Sequence, residues 1–82
     1  MNSLTIQQSV RDYLLESFFP GSDGAELHDD DDLLLSLNSL QLLRMVIELE
    51  SRYGIAIDNR DLTPENLGTI ERIRDYLDRR LR

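Results

Sequence analysis

Apolar residues recur along this chain at helical intervals, and that recurrence predicts long helices separated by turn-forming stretches. Ile6, Val10, Tyr13, Leu14 and Phe18 fall on one stripe, which predicts a first helix over Thr5 to Phe18. Thr5 and Gln8 stand at capping-box spacing. Phe19-Pro20-Gly21 stops the helix, because proline has no N–H to donate and glycine frees the backbone. Val10, Leu14 and Phe18 read as core. A denser run follows from Leu42 to Tyr53. At about 100° per residue, Leu42, Met45, Val46, Leu49 and Tyr53 share one arc wide enough to be a core face. Gln41, Arg44, Glu48, Ser51 and Arg52 gather on a polar side. Gly54 ends this helix as a left-handed cap. Thr63 as N-cap, Pro64 at the first position and Glu65 in the first turn predict a short helical segment that Gly68 breaks. Thr69 then caps a final helix with Ile70, Ile73, Tyr76, Leu77 and Leu81 inward. Arg79, Arg80 and Arg82 suit its negative pole.

The connections are less regular. Gly21 to Leu34 is a long polar link, across which Leu27, Leu33, Leu35 and Leu37 are expected to pin the chain, the last two alternating with Ser36. Carboxylates ligate calcium and magnesium, but Asp29-Asp30-Asp31-Asp32 lacks the alternating ligands and central glycine of a calcium loop. It reads as a solvated acidic loop, and no metal site is expected. His28, the one histidine, has no cysteine or second histidine to complete a ligand set or dyad and reads as a surface residue. Ile55-Ala56-Ile57 is extended but too brief for a sheet. The pattern therefore predicts an all-α fold, a small bundle of three long helices and one short helix with a long first loop. It forms a single domain over residues 1–82, with no internal repeat.

Composition narrows the partners. The chain has 82 residues, a formal net charge of −7 and no cysteine. Phosphates would be repelled, so nucleic acid is not expected as a partner. The absence of cysteine excludes a disulfide framework. No apolar run approaches a membrane span, and Met1 to Pro20 lacks the basic start of a signal peptide. A cytoplasmic monomer that does not bind membrane is the expectation.

Candidate chemistry concentrates in Leu35-Ser36-Leu37-Asn38-Ser39-Leu40, immediately before the dense apolar run. Asn38 or Ser39 is suited to cap the helix, since a short polar side chain satisfies its free N–H groups. A phosphate on Ser39 would meet the positive pole of that helix. Leu40, Leu43 and Ile47 form a second apolar arc adjoining Ser39. This arc is either extra core beneath a covering loop or a patch facing a partner. No glycine-rich phosphate cradle, paired cysteines or serine–histidine spacing accompanies it, so no catalytic residue is expected.

Leu37-Asn38-Ser39-Leu40 resembles the Asp-Ser-Leu motif of acyl and peptidyl carrier proteins. Gln41 to Ile57 is similar to that family's second helix and the loop after it. Asp61-Leu62-Thr63-Pro64-Glu65-Asn66-Leu67 looks like a stretch common in freestanding carriers. The likeness covers about three quarters of the chain and is weakest before Leu27.

The resemblance implies a non-catalytic carrier with the fold described above. It implies that a phosphopantetheinyl transferase, using coenzyme A and magnesium, attaches 4′-phosphopantetheine to Ser39. It implies cargo held as a thioester and exchanged with an acyl- or aminoacyl-loading enzyme and downstream synthases. Asn38 and Leu40 belong to the motif; Leu40, Leu43 and Ile47 would serve docking or shelter cargo. Two departures matter. Asn38 replaces the usual aspartate, which weakens the expectation of recognition by a general transferase. The second helix mixes Glu48 and Glu50 with Arg44 and Arg52, where fatty-acid carriers are more uniformly acidic. That mixture favours a carrier of polyketide or nonribosomal peptide assembly over a fatty-acid synthesis carrier. The alternatives are a helical protein-interaction module in which Ser39 is only a cap, and a carrier-like relic that is no longer modified.

Overall fold

The first helix begins earlier than its apolar stripe suggests. In the computed structural model, which describes residues 2–19 and 27–82, α1 spans Ser3–Phe18. Its cap is Asn2, whose side chain accepts the Thr5 N–H at 2.8 Å. Thr5 and Gln8 therefore form no capping box; Gln8 donates instead to Asp12, one turn on. Asparagine is a stronger cap than threonine, and nothing in Ser3 or Leu4 opposes helix. Phe19 closes the helix. The expected stop at Pro20 and Gly21, and the link as far as residue 26, lie outside the described residues.

The remaining elements are α2 (Leu33–Ser36), α3 (Ser39–Tyr53), a 3-10 turn (Asn59–Asp61), α4 (Pro64–Leu67) and α5 (Ile70–Arg80). Among the described residues there is no strand. The three long helices and the short α4 are those the apolar pattern predicts, in an all-α bundle. Their stripes meet in one core: Ile6, Val10 and Leu14 from α1, Met45 and Leu49 from α3, and Ile70, Ile73, Tyr76 and Leu77 from α5. Phe18 is only partly buried against this core, and Leu81, expected inward, is exposed.

The end of the long link departs most from expectation. Leu27, Leu33 and Leu37 are buried as anticipated, but Leu35 is 86% exposed. The cause is α2, a single helical turn that the reading of Leu35 and Leu37 as alternating residues missed. In a helix the inward neighbours of this run are Leu33 and Leu37, four apart, and Leu35 points away. The acidic run is also less solvated than expected. Asp29 pairs with Arg11 and accepts from Gln7 Nε2 at 2.6 Å. Asp31 accepts the His28 N–H at 2.9 Å, and Asp32 caps α2 through the Leu34 N–H at 2.9 Å. Among the described residues no group of acids or histidine is placed to hold a metal ion. No helix among the described residues is long and apolar enough to cross a membrane.

Past α3, Gly54 takes the left-handed conformation, with φ 65°, and its N–H bonds the Glu50 carbonyl. Thr63 stands at the N-cap of α4, but its side chain makes no cap bond. A polar cluster fastens this segment to α5. The Tyr76 hydroxyl donates to Asp61 at 2.9 Å and accepts from Arg80 at 2.7 Å. Burial, reinforced by that bond to Asp61, pushes the Tyr76 phenol above its usual value. It remains a neutral donor at physiological pH.

Gly68 ends α4 for lack of room, not through a left-handed turn. Its backbone is right-handed (φ −75°), and an added Cβ would meet the Pro64 carbonyl oxygen at 2.5 Å. Its own carbonyl accepts the Leu33 N–H at 2.8 Å, tying α2 to the α4–α5 junction. Gly68→Ala is therefore expected to destabilise the protein by about 1–3 kcal/mol, the range for a methyl forced into packed surroundings. Urea unfolding checks this; a loss below about 0.5 kcal/mol, the size of an ordinary surface change, would refute the close approach.

Candidate functional site

The site is built at the junction between α2 and α3. Leu37 is buried and its N–H bonds the Leu33 carbonyl at 2.9 Å, which anchors the backbone two residues before α3 starts. Asn38 is extended (φ −80°, ψ 174°) and acts as the N-cap. Its side-chain oxygen accepts the Gln41 N–H at 2.8 Å, and Gln41 Oε1 accepts the Asn38 N–H at 3.0 Å. This is a full capping box. The spacing is present in the sequence as Asn38 and Gln41, three apart.

Asn38 rather than Ser39 therefore does the capping. Ser39 is the first residue of α3 and exposed. Among the described residues its hydroxyl has no hydrogen-bond partner. The Gln41 and Leu42 N–H groups are taken up by the Asn38 side chain and carbonyl. The N–H groups of Ser39 and Leu40 remain among the unpaired donors at the helix's positive pole. No base hydrogen-bonds Ser39, so the arrangement presents a hydroxyl without activating it.

The second apolar arc is not core. Leu40, Leu43 and Ile47 are 57%, 55% and 56% exposed. Leu43 also reaches into a groove of ≈ 280 Å³ with Ser39 at its edge. Leu34 of α2, Leu42 and Val46 of α3, and Leu62, Pro64 and Leu67 of the α4 segment complete its apolar walls. Leu42 and Val46 are only partly buried because they line this groove, although their arc otherwise faces inward. Thr63 lines the groove too, with a hydroxyl not engaged in capping. Leu34, Leu62 and Thr63 were not foreseen as site residues. No local pattern brings α2 and α4 to α3, and only the exposed Leu34 beside a buried Leu33 would have hinted at a second apolar surface.

The helix bearing the site is held from behind. Arg52 bonds Glu48 at 2.8 Å and reaches the Ser9 hydroxyl of α1 at 3.1 Å. The Tyr13 hydroxyl donates to the Arg44 carbonyl at 3.3 Å. Burial, then the nearby Glu48 charge, raise the Tyr13 phenol above its usual value. A wider hollow of ≈ 570 Å³ beside Arg52 and the start of α1 is shallow and does not include Ser39.

The family described as phosphopantetheine attachment site matches residues 19–77, a span that holds α2, α3, α4 and the groove between them. No curated protein matches the chain significantly. The surroundings of Ser39 suit a phosphate-linked arm in three respects: an exposed hydroxyl, a positive helix pole beside it, and an adjoining apolar groove.

The cap assignment separates two neighbouring substitutions. Asn38→Ala removes the side-chain acceptor of the Gln41 N–H while leaving the backbone N–H that bonds Gln41 Oε1, and is expected to cost about 1 kcal/mol. Ser39→Ala removes no hydrogen bond seen here and should cost less than about 0.5 kcal/mol. Urea denaturation of the two variants checks the order; the reverse order would make Ser39 the cap.

Proposed function

The chain belongs to the phosphopantetheine attachment site family, and from that membership we propose that Ser39 bears the arm and that the protein shuttles thioester-bound intermediates between the enzymes of polyketide or nonribosomal peptide assembly. Its cofactor is 4′-phosphopantetheine, covalently attached, and its general role is that of a phosphopantetheine carrier. Carrier domains of this family are generally non-catalytic. When bound, the arm supplies a thiol that holds an acyl group as a thioester. We propose further that residues 1–82 form one carrier domain.

The observation that carries the assignment is the exposed, unbonded Ser39 hydroxyl at the start of α3, inside the matched span and beside the groove. Ser36, the neighbouring serine, donates its hydroxyl to the Asp32 carbonyl at 3.2 Å and lies at the end of α2. Ser39 would present the oxygen that attacks the coenzyme A pyrophosphate, releasing 3′,5′-ADP, while a base of the phosphopantetheinyl transferase, which also supplies the magnesium, takes the hydroxyl proton. Asn38 and Gln41 hold the backbone at the attachment point, so the hydroxyl is offered from a rigid mount. Leu40, Leu43 and Ile47 offer apolar area to the loading enzyme and downstream synthases. The groove walls are placed to shelter part of the arm or its cargo. The mixed charge of α3 supports polyketide or nonribosomal peptide assembly over fatty-acid synthesis.

Intact mass after incubation with coenzyme A, magnesium and a broad-specificity transferase tests the assignment. Wild type and Ser36→Ala should gain one phosphopantetheine, and Ser39→Ala none. Lack of an adduct on wild type with several transferases would favour an interaction module or a relic. Attachment lost in Ser36→Ala but kept in Ser39→Ala would move the site. With a transferase adapted to aspartate, Asn38→Asp should be modified at a higher initial rate than wild type. Equal rates would make Asn38 a neutral replacement. Leu43→Asp and Ile47→Asp should slow loading of the holo-protein while circular dichroism and unfolding stay near wild type. Collapse of the fold would return those residues to the core.

A further inference from the structure

The charges on α3 are not equally available. Glu48 is engaged by Arg52 at 2.8 Å, and Glu50 accepts the Ile57 N–H at 2.8 Å. Arg52 also bonds Ser9. Arg44 alone on this helix has a charged group with no ion pair or hydrogen bond among the described residues. Among the described residues the contrast extends to the other arginines; all nine basic residues of the chain are arginine. Arg11, Arg52, Arg60, Arg74, Arg80 and Arg82 have carboxylate partners. Arg72 bonds the Pro64 carbonyl and Arg79 the Asn66 side chain.

Arg44 is also placed where a free charge matters. It is exposed, one turn from Leu40 and just under one turn from Ile47, so it borders the apolar arc. It lies about 7.5 Å along the helix from Ser39. A protein covering Leu40, Leu43 and Ile47 must bring a surface against this guanidinium. An unpaired cation buried in an interface is costly, and a facing carboxylate relieves that cost through a bidentate pair.

We propose that the α3 face made of Leu40, Leu43, Ile47 and Arg44 docks a loading enzyme whose apolar contact surface carries a carboxylate against Arg44. The inference rests on the carrier reading of Ser39 and adds the sign of the partner's charge. The net charge of −7 does not oppose it. Beyond about 8–10 Å, exposed charges are largely screened at physiological salt, so the nearest unpaired group sets the local preference. Glu48 is paired with Arg52, and Glu50 keeps its charge but stands about 15 Å along the helix from Leu40, so the unpaired charge nearest Ser39 and Leu40 is a cation.

The test uses holo-protein and a panel of acyl- and aminoacyl-loading ligases of known structure, sorted by whether their carrier-docking surface is acidic or basic. Loading is followed by intact mass, and kcat/KM is compared for wild type, Arg44→Ala and Arg44→Glu. Acidic-faced ligases should load wild type faster. Against those ligases Arg44→Ala should be about threefold slower and Arg44→Glu about tenfold slower. Arg44→Glu should bring the basic-faced ligases to the front, and added salt should shrink these differences. A panel in which acidic-faced ligases load wild type no faster, or in which Arg44→Glu leaves the order unchanged, overturns the inference while Ser39 still carries the arm. Failure of wild type to take up the arm, or loading that persists in Ser39→Ala, overturns the carrier reading and this inference with it.

Discussion

The two reciprocal bonds between Asn38 and Gln41 decide where α3 starts, and the geometry around Ser39 depends on that start. Leu37, buried one residue before Asn38, fixes the backbone from the core side. The capping box fixes it from the helix side. Between them the chain has no freedom to slide by a residue. A shift of one position would rotate every side chain of α3 by about 100°, carrying Met45 and Leu49 out of the core. The same bonds release Ser39 from capping, so its hydroxyl remains exposed. Stability and availability of the hydroxyl thus come from one arrangement.

The groove beside Ser39 has a different origin. It exists because two short helical turns, α2 and α4, pack near the start of α3 without filling the space between them. Their positions are set remotely. The Gly68 carbonyl accepts the Leu33 N–H, and the Glu71 N–H donates to the Asp29 carbonyl at 3.1 Å, tying the link before α2 to α5. Asp29 is in turn held by Arg11 and Gln7 of α1. On the other wall, Tyr76 and Arg80 of α5 secure Asp61. The polar groups that shape the groove lie mostly away from it, which leaves its lining apolar.

Charge is handled in the same distributed way. The chain is strongly acidic, yet most of its arginines are committed to carboxylates or carbonyls that hold loops and helix ends. The acids of α3 are likewise occupied by Arg52 and the Ile57 N–H. What remains on the face beside Ser39 is three exposed aliphatic side chains and one guanidinium without a partner among the described residues. In the proposed docking role, such a surface would discriminate between partners by apolar fit first and by the sign of one local charge second.

Much of this was legible in the residues. The stripe Ile6, Val10 and Leu14, the arc of Met45 and Leu49, and the stripe Ile70, Ile73 and Leu77 each encode a helix and its inward face. Burial must repeat with the helical period, and these residues do. Gly54 and Thr69 announced helix boundaries because their local chemistry is sufficient for that task. The serine candidate was legible for the same local reason, by its position at a helix start. Residues whose role depends on distant segments were not. Leu35 seemed inward by alternation until α2 made the run helical, and Leu81 lost its place at the end of α5. Whether Leu40, Leu43 and Ile47 were covered could not be settled from periodicity, which reports that a face is apolar but not what packs against it. The groove and, among the described residues, the lack of a partner for Arg44 are likewise tertiary facts. Both depend on which side chains from other helices arrive nearby, and only the packed chain determines that.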